Sequence, residues 1–296
     1  MKRLNVNNHH IAVISAVSAA VLYAICIPCA KLLSIHTGST FLGAFLYLGA
    51  GLGLFITSPF IKNQQTKPLT KKELPYTIAM ILLDIGAIIF LMFGIARTNS
   101  ANVSLLGNFE LVATVFAAFL IFKEAITKKL LLGIILITIA SIILSFEGKA
   151  SFVFSTGSIF VVLSCIFWGL ENNCTRAISS KDTRQITTIK GIFSGIGSLV
   201  VALVIGEAIP DYKWILTSLL LGFISYGISV CLYIYSQRYL GAAKTGALYS
   251  IAQFAGVFFS IIILKERPEI QFYIALCIMI IATILVINDS FNSHNS

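Results

Sequence analysis

Charge is what this 296-residue chain has least of: 11% of its residues are Asp, Glu, Lys or Arg, against roughly a quarter in soluble globular proteins. With 57% hydrophobic residues and a mean hydropathy of +0.93, too little polar surface exists to clothe a water-facing exterior. The scarcity excludes a soluble fold and predicts an all-α integral membrane protein.

Other absences narrow the function. The sequence has no HExxH, P-loop or GxSxG motif. None of the four histidines (His9, His10, His36, His294) falls deep in an apolar run. Nothing calls for a metal or a cofactor, and without a phosphate-cradling loop any driving force is a gradient. No connection could hold a soluble domain, the longest being "KNQQTKPLTKKEL". The first apolar stretch, Ile11 to about Ile35, exceeds a signal-peptide core and ends without a small-residue cleavage site. It reads as a membrane span. The six cysteines all lie in apolar segments, and "CIPC" reads as packing residues beside a proline kink.

What is present is a series of runs near the ~20 residues a helix needs to cross the hydrocarbon core. Breaks at polar or Gly/Pro clusters delimit ten: about 11–35, 39–61, 75–97, 100–122, 130–147, 154–179, 187–209, 213–237, 240–264 and 270–288. With the N-terminus inside, only six of the 21 Lys and Arg fall outside (Lys31, Arg97, Lys149, Lys213, Lys265, Arg267), leaving fifteen inside. Positive charge gathers on the cytoplasmic side, so both termini should be cytoplasmic, in a multi-pass protein of the cell membrane. The net charge of +9 then reflects topology and anionic inner-leaflet lipid, not nucleic acid binding.

The chain repeats itself. "YAICIPCAKLLS" (Tyr23–Ser34) aligns with "WGLENNCTRAIS" (Trp168–Ser179), placing Tyr23 on Trp168 and Lys31 on Arg176. "GLG" at 51–53 meets "GIG" at 195–197, "LIFKE" at 120–124 meets "IILKE" at 262–266, and "IASIIL" at 139–144 meets "IATILV" at 281–286. The offsets run from 145 to 142 in order along the chain. Five spans per copy is odd, so the copies insert in opposite senses, a frequent build of secondary transporters with a site at the repeat interface. The organisation expected is one five-helix repeat over 1–147, a second over 154–288 and a short polar tail at 289–296.

Ten spans in two such copies, each with a "KE" turn before its last helix, resemble the EamA branch of the drug/metabolite transporter superfamily. So do "LGAAKTGALYSIAQFAGVFFSIIILKE" at the ninth span and its degenerate counterpart "TNSANVSLLGNFELVATVFAAFLIFKE" at the fourth. The resemblance implies fold and superfamily. It leaves the substrate open, because the superfamily moves amino acids, nucleotide sugars, phosphorylated sugars and drugs.

Acids at membrane depth cost several kcal/mol and face a bundle interior or watery cavity. Three stand near mid-span: Asp84, Glu110 and Glu171, the last inside "GLENNCTR". Ser164, Trp168, Glu171 or Asn172, and Thr175 recur on one face of the sixth helix. Thr245, Tyr249 and Gln253 form a stripe on the ninth, and Tyr226, Ser229, Tyr233 and Gln237 another on the eighth. Adjacent helical residues diverge by about 100°, so one asparagine of "ENN" should join Glu171 in the cavity while Asn173 ties its helix to a neighbour. By the same rule Asn108 and Glu110, about 200° apart, should not share a cavity. Asp84 shows few polar neighbours on its own face. Lys190 is expected a few residues into the seventh span.

The substrate-lining set expected is Tyr23, Trp168, Glu171, Asn172, Tyr249, Gln253 and Lys244, with Glu171, Asp84 and Glu110 as proton-coupling carboxylates. The function that follows is export of a small polar metabolite, such as an amino acid, by a secondary transporter working as monomer or homodimer. The rivals are an uncoupled facilitator or channel and an intramembrane lipid-modifying enzyme.

Overall fold

Hydrocarbon offers the backbone no hydrogen-bond partner, so each apolar run must satisfy its own N–H and C=O groups as a helix. A computed structural model describes residues 6–57, 67–123, 126–147 and 153–292. Glu124 of the first "KE" turn, and the final residues of the polar tail, lie outside the described residues. Among those described, ten helices are long and apolar enough to span a membrane: His10–Leu33, Ser39–Thr57, Lys71–Arg97, Ser100–Ile121, Lys128–Ser145, Thr156–Ile178, Thr183–Val204, Tyr212–Gly241, Lys244–Leu264 and Ile270–Asp289. Large apolar side chains such as Leu82, Ile142, Val200, Leu220 and Ile284 are exposed on their outer faces, as lipid contact requires. A two-residue antiparallel ladder pairs Phe146–Glu147 with Val153–Phe154 where the two halves meet in the chain.

The seventh span departs most from expectation. It was expected over 187–209 and runs Thr183–Val204 instead. The Asp182 carboxylate accepts from the backbone N–H of Arg184 and of Gln185, starting the helix four residues early. Lys190 therefore sits about two turns into the span, and is not among the inner-side charges with which it was counted.

Packing follows a two-fold rule. The third span packs on the sixth as the eighth packs on the first, and the fourth on the sixth as the ninth on the first. The second and seventh spans pair with each other, as do the fifth and tenth. Exchanging every span for its counterpart five places on leaves these pairings unchanged. Because each copy has an odd number of spans, that relation inverts the topology. The second and seventh spans cross at Gly51 and Gly191, where a Cβ on Gly191 would stand 2.4 Å from the Gly51 nitrogen. Only glycine on both sides allows this approach, and it brings Lys190 against the second and third spans.

The fourth and ninth spans share a further feature. The fourth consists of Ser100–Leu106 and Phe109–Phe122, interrupted at Gly107 and Asn108; a second interruption, at Ser250, splits the ninth before Ile251–Leu264. At both breaks the backbone tightens to i→i+3 hydrogen bonds, Asn108 N to Leu105 O and Gln253 N to Ser250 O. Each span also ends on a lysine in the left-handed conformation, Lys123 at φ 54° and Lys265 at φ 53°. Beyond the second of these turns, the Glu266 carboxylate accepts from Ser100 N and Ala101 N at 2.8 Å each, so the second repeat caps a helix of the first.

Candidate functional site

Asp84 on the third span, Glu171 on the sixth and Lys190 on the seventh meet inside the bundle. The Lys190 Nζ lies 3.3 Å from an Asp84 oxygen and 3.0 Å from a Glu171 oxygen. Asp84 is fully buried, Glu171 is 1% exposed and Lys190 6%. Ionisable groups so placed are tolerable because the Lys190 ammonium faces both carboxylates at once. Tyr47 donates its hydroxyl to Asp84 at 2.7 Å, and the Trp168 indole N–H donates to the Tyr47 oxygen at 3.3 Å. Thr175, one turn beyond Glu171, donates to its carboxylate. The cluster thus ties the second and third spans of the first repeat to the sixth and seventh of the second.

Asp84 has few polar neighbours on its own helix face, and its partners come from other spans. The Lys190 contact is what sequence reasoning missed. The N-capping "KDTRQ" at Lys181–Gln185 was the signal that could have placed it, by moving the helix start.

A cavity opens beside the cluster. Tyr23, Trp168, Glu171, Asn172, Tyr249 and Lys190 line it, together with Tyr47, Tyr226, Tyr233 and Glu110. Asp84 stands behind Lys190, outside the lining. The tyrosines form one chain of ring contacts: Tyr47 to Tyr226 at 5.2 Å, Tyr226 to Tyr23 at 5.4 Å, Tyr23 to Tyr249 at 5.6 Å and Tyr249 to Tyr233 at 4.8 Å. Two of them, Tyr226 and Tyr233, come from the stripe noted on the eighth span. The backbone around Tyr226 is π-helical over Gly222–Ile228, a feature found often at functional sites.

A second cavity adjoins the first through Glu110, Tyr233 and Tyr249, and reaches the two helix breaks, where it is lined by Gly107, Asn108, Ser250 and Gln253. The two interruptions thus face each other across it. Asn108 and Glu110 both line this cavity, against the 200° expectation, because the helix is interrupted between Leu106 and Phe109 and the uniform angular step does not hold. Lys244 is 9% exposed and lines neither cavity.

The asparagines of "ENN" divide their tasks. Asn172 donates its side-chain N–H to Glu110 at 2.7 Å and to Thr114 at 3.3 Å, linking the sixth span to the fourth from inside the cavity. Asn173 points away from it and donates to the Thr114 carbonyl at 3.0 Å and to Gly169 at 2.9 Å.

A charge-bearing cavity between two five-helix halves, set among ten helices long and apolar enough to span a membrane, fits a multi-pass membrane transporter. The EamA-like transporter family matches the chain twice, over residues 10–146 and 155–288, and the chain belongs to that family. It is 26% identical over 279 residues to an "Uncharacterized transporter" of Methanothermobacter thermautotrophicus, an alignment covering 87% of this chain and 80% of the relative. A solved crystal structure of a protein 14% identical superposes with a TM-score of 0.67, covering 93% of this chain and 94% of the other. That likeness speaks for the fold alone.

Proposed function

We propose that this chain is a secondary transporter that exports a small polar metabolite across the cell membrane, with both termini cytoplasmic. The two repeats rock about the tyrosine-lined cavity, and a proton taken up or released by its carboxylates couples the cycle to a gradient. The observation that carries this reading is the Asp84–Lys190–Glu171 cluster, which draws its charges from both repeats. Moving the repeats against each other changes the distance between Lys190 and Asp84, and so changes what each carboxylate must be neutralised by. A group whose neutralising partner depends on conformation is one whose proton occupancy can depend on it too. The repeat symmetry, the paired helix breaks at Asn108 and Ser250, and the membership of a transporter family support the same reading.

Counterflow and uphill flux test it. In proteoliposomes of the full chain, a pH gradient should concentrate a labelled metabolite against its own gradient, and collapsing the pH gradient should abolish accumulation. Flux that only ever equilibrates would make the protein a facilitator. Conversion of a lipid or metabolite by purified protein in detergent would make it an enzyme.

A further inference from the structure

The polar groups around the cavity are unevenly matched. Lys190 is committed to Asp84 and Glu171 at once, so the one lysine in the lining is already neutralised. Glu110 is different. One of its oxygens accepts from Asn172, and among the described residues no cation stands within ion-pairing distance of it. It lies where the two cavities join, with Tyr233 and Tyr249 in the shared walls and Tyr23 in the wall of the main cavity. Tyr226, 3% exposed, lines the main cavity, and among the described residues its Oη meets no hydrogen-bond partner. Asn108, 1% exposed, lines the adjoining cavity, and among the described residues its Oδ1 is likewise without a partner.

An open carboxylate among aromatic faces is what a cationic nitrogen recognises: the ring quadrupoles attract the charge, and the carboxylate and a carbonyl oxygen accept its N–H groups. A ligand carboxylate meets the opposite situation, since its only facing cation is held by two acids. We propose that the cavity selects an organic amine cation lacking a carboxylate, with Glu110 as its counter-ion and the faces of Tyr23, Tyr233 and Tyr249 around its charged nitrogen. The proposal rests on the transport reading for what the cavity does, but makes its own demand on the substrate: the amine is preferred over the amino acid from which decarboxylation would yield it.

Matched pairs test this. Equilibrium binding of labelled phenethylamine and phenylalanine, cadaverine and lysine, and agmatine and arginine is measured on the purified full chain. At least one amine should bind about ten-fold or more tightly than its amino acid, and Glu110→Gln should remove that preference. The wild-type comparison needs no variant, so a folding defect in Glu110→Gln cannot obscure it. Amino acids binding as tightly as their amines, no amine binding at all, or wild-type amine affinity in a folded Glu110→Gln protein would each overturn the proposal. Counterflow separates the two readings. Amine binding without any amine counterflow supports the cation site and sinks transport. Counterflow of amino acids in preference to amines sinks the cation site and leaves transport standing.

Discussion

At the scale of the residue, Lys190 has the largest electrostatic role. Its ammonium is the shared partner of two buried carboxylates, and each carboxylate has one further donor, Tyr47 or Thr175. Lys190→Met keeps the aliphatic stem but leaves Asp84 and Glu171 facing each other without a counter-charge. Breaking a buried ionic cluster in this way costs about 3–5 kcal/mol, so the variant's melting temperature in detergent should fall sharply. Adding Asp84→Asn to it should recover part of the loss, because one uncompensated charge is then gone. Equal melting temperatures for wild type and Lys190→Met would show that the three groups are not charged together. Tyr47→Phe makes a smaller change. It removes the donor to Asp84 and the acceptor for Trp168, for an expected loss of about 1–3 kcal/mol, read by the same melt.

At the scale of the element, glycine contacts and helix breaks decide where those residues stand. The crossing of the second and seventh spans leaves no room for a methyl group on Gly191, whose added Cβ would lie 2.4 Å from Gly51 N and 2.6 Å from Gly51 Cα. The obstruction is backbone, so it cannot rotate away. Gly191→Ala should force the two spans apart, lower stability by about 1–3 kcal/mol, and weaken the neighbouring Lys190 pairing. Thermal melting beside ligand binding checks both consequences.

The element scale also marks how far the sequence alone could be read. Hydropathy located the spans to within a few residues, since an apolar run in lipid has no alternative to a helix. The "KE" turns and the ordered offsets of 145 to 142 exposed the repeat. On the sixth span, a continuous helix over Thr156–Ile178, spacing predicts that only one asparagine faces the cavity, and Asn172 lines it while Asn173 bonds to Thr114 and Gly169. The same spacing failed at Asn108 and Glu110, because it assumes a uniform angular step and the fourth span is interrupted at Gly107 and Asn108. Lys190 was misjudged by four residues of helix start, and the partners of Asp84, Tyr47 and Lys190, come from other spans, which only tertiary packing supplies. Contacts between spans leave no period in the sequence.

At the scale of the whole molecule, the account requires an odd-numbered repeat inserted twice in opposite senses, with both ends of the chain in the cytoplasm. Fifteen of 21 Lys and Arg were assigned to the inner side from sequence, and moving Lys190 into the bundle leaves the bias intact. Single cysteines at Ser151 and Asn63, two positions outside the described residues, check the orientation. A membrane-impermeant thiol reagent should reach Ser151→Cys in intact cells, and Asn63→Cys only after the membrane is opened. The reverse pattern would invert the topology.

The central claim is that a carboxylate held between the two repeats couples their movement to protons. Glu171 is the carboxylate proposed for that role, because it lines the cavity, contacts Lys190 across helices and accepts from Thr175. Glu171→Gln preserves shape and most hydrogen bonding while removing the titratable group. Uphill flux driven by a pH gradient in proteoliposomes, wild type against Glu171→Gln, is the most direct measurement. The account predicts a folded, inserted variant in which uphill accumulation is abolished while substrate exchange is spared. Wild-type accumulation with unchanged pH dependence in Glu171→Gln would contradict it.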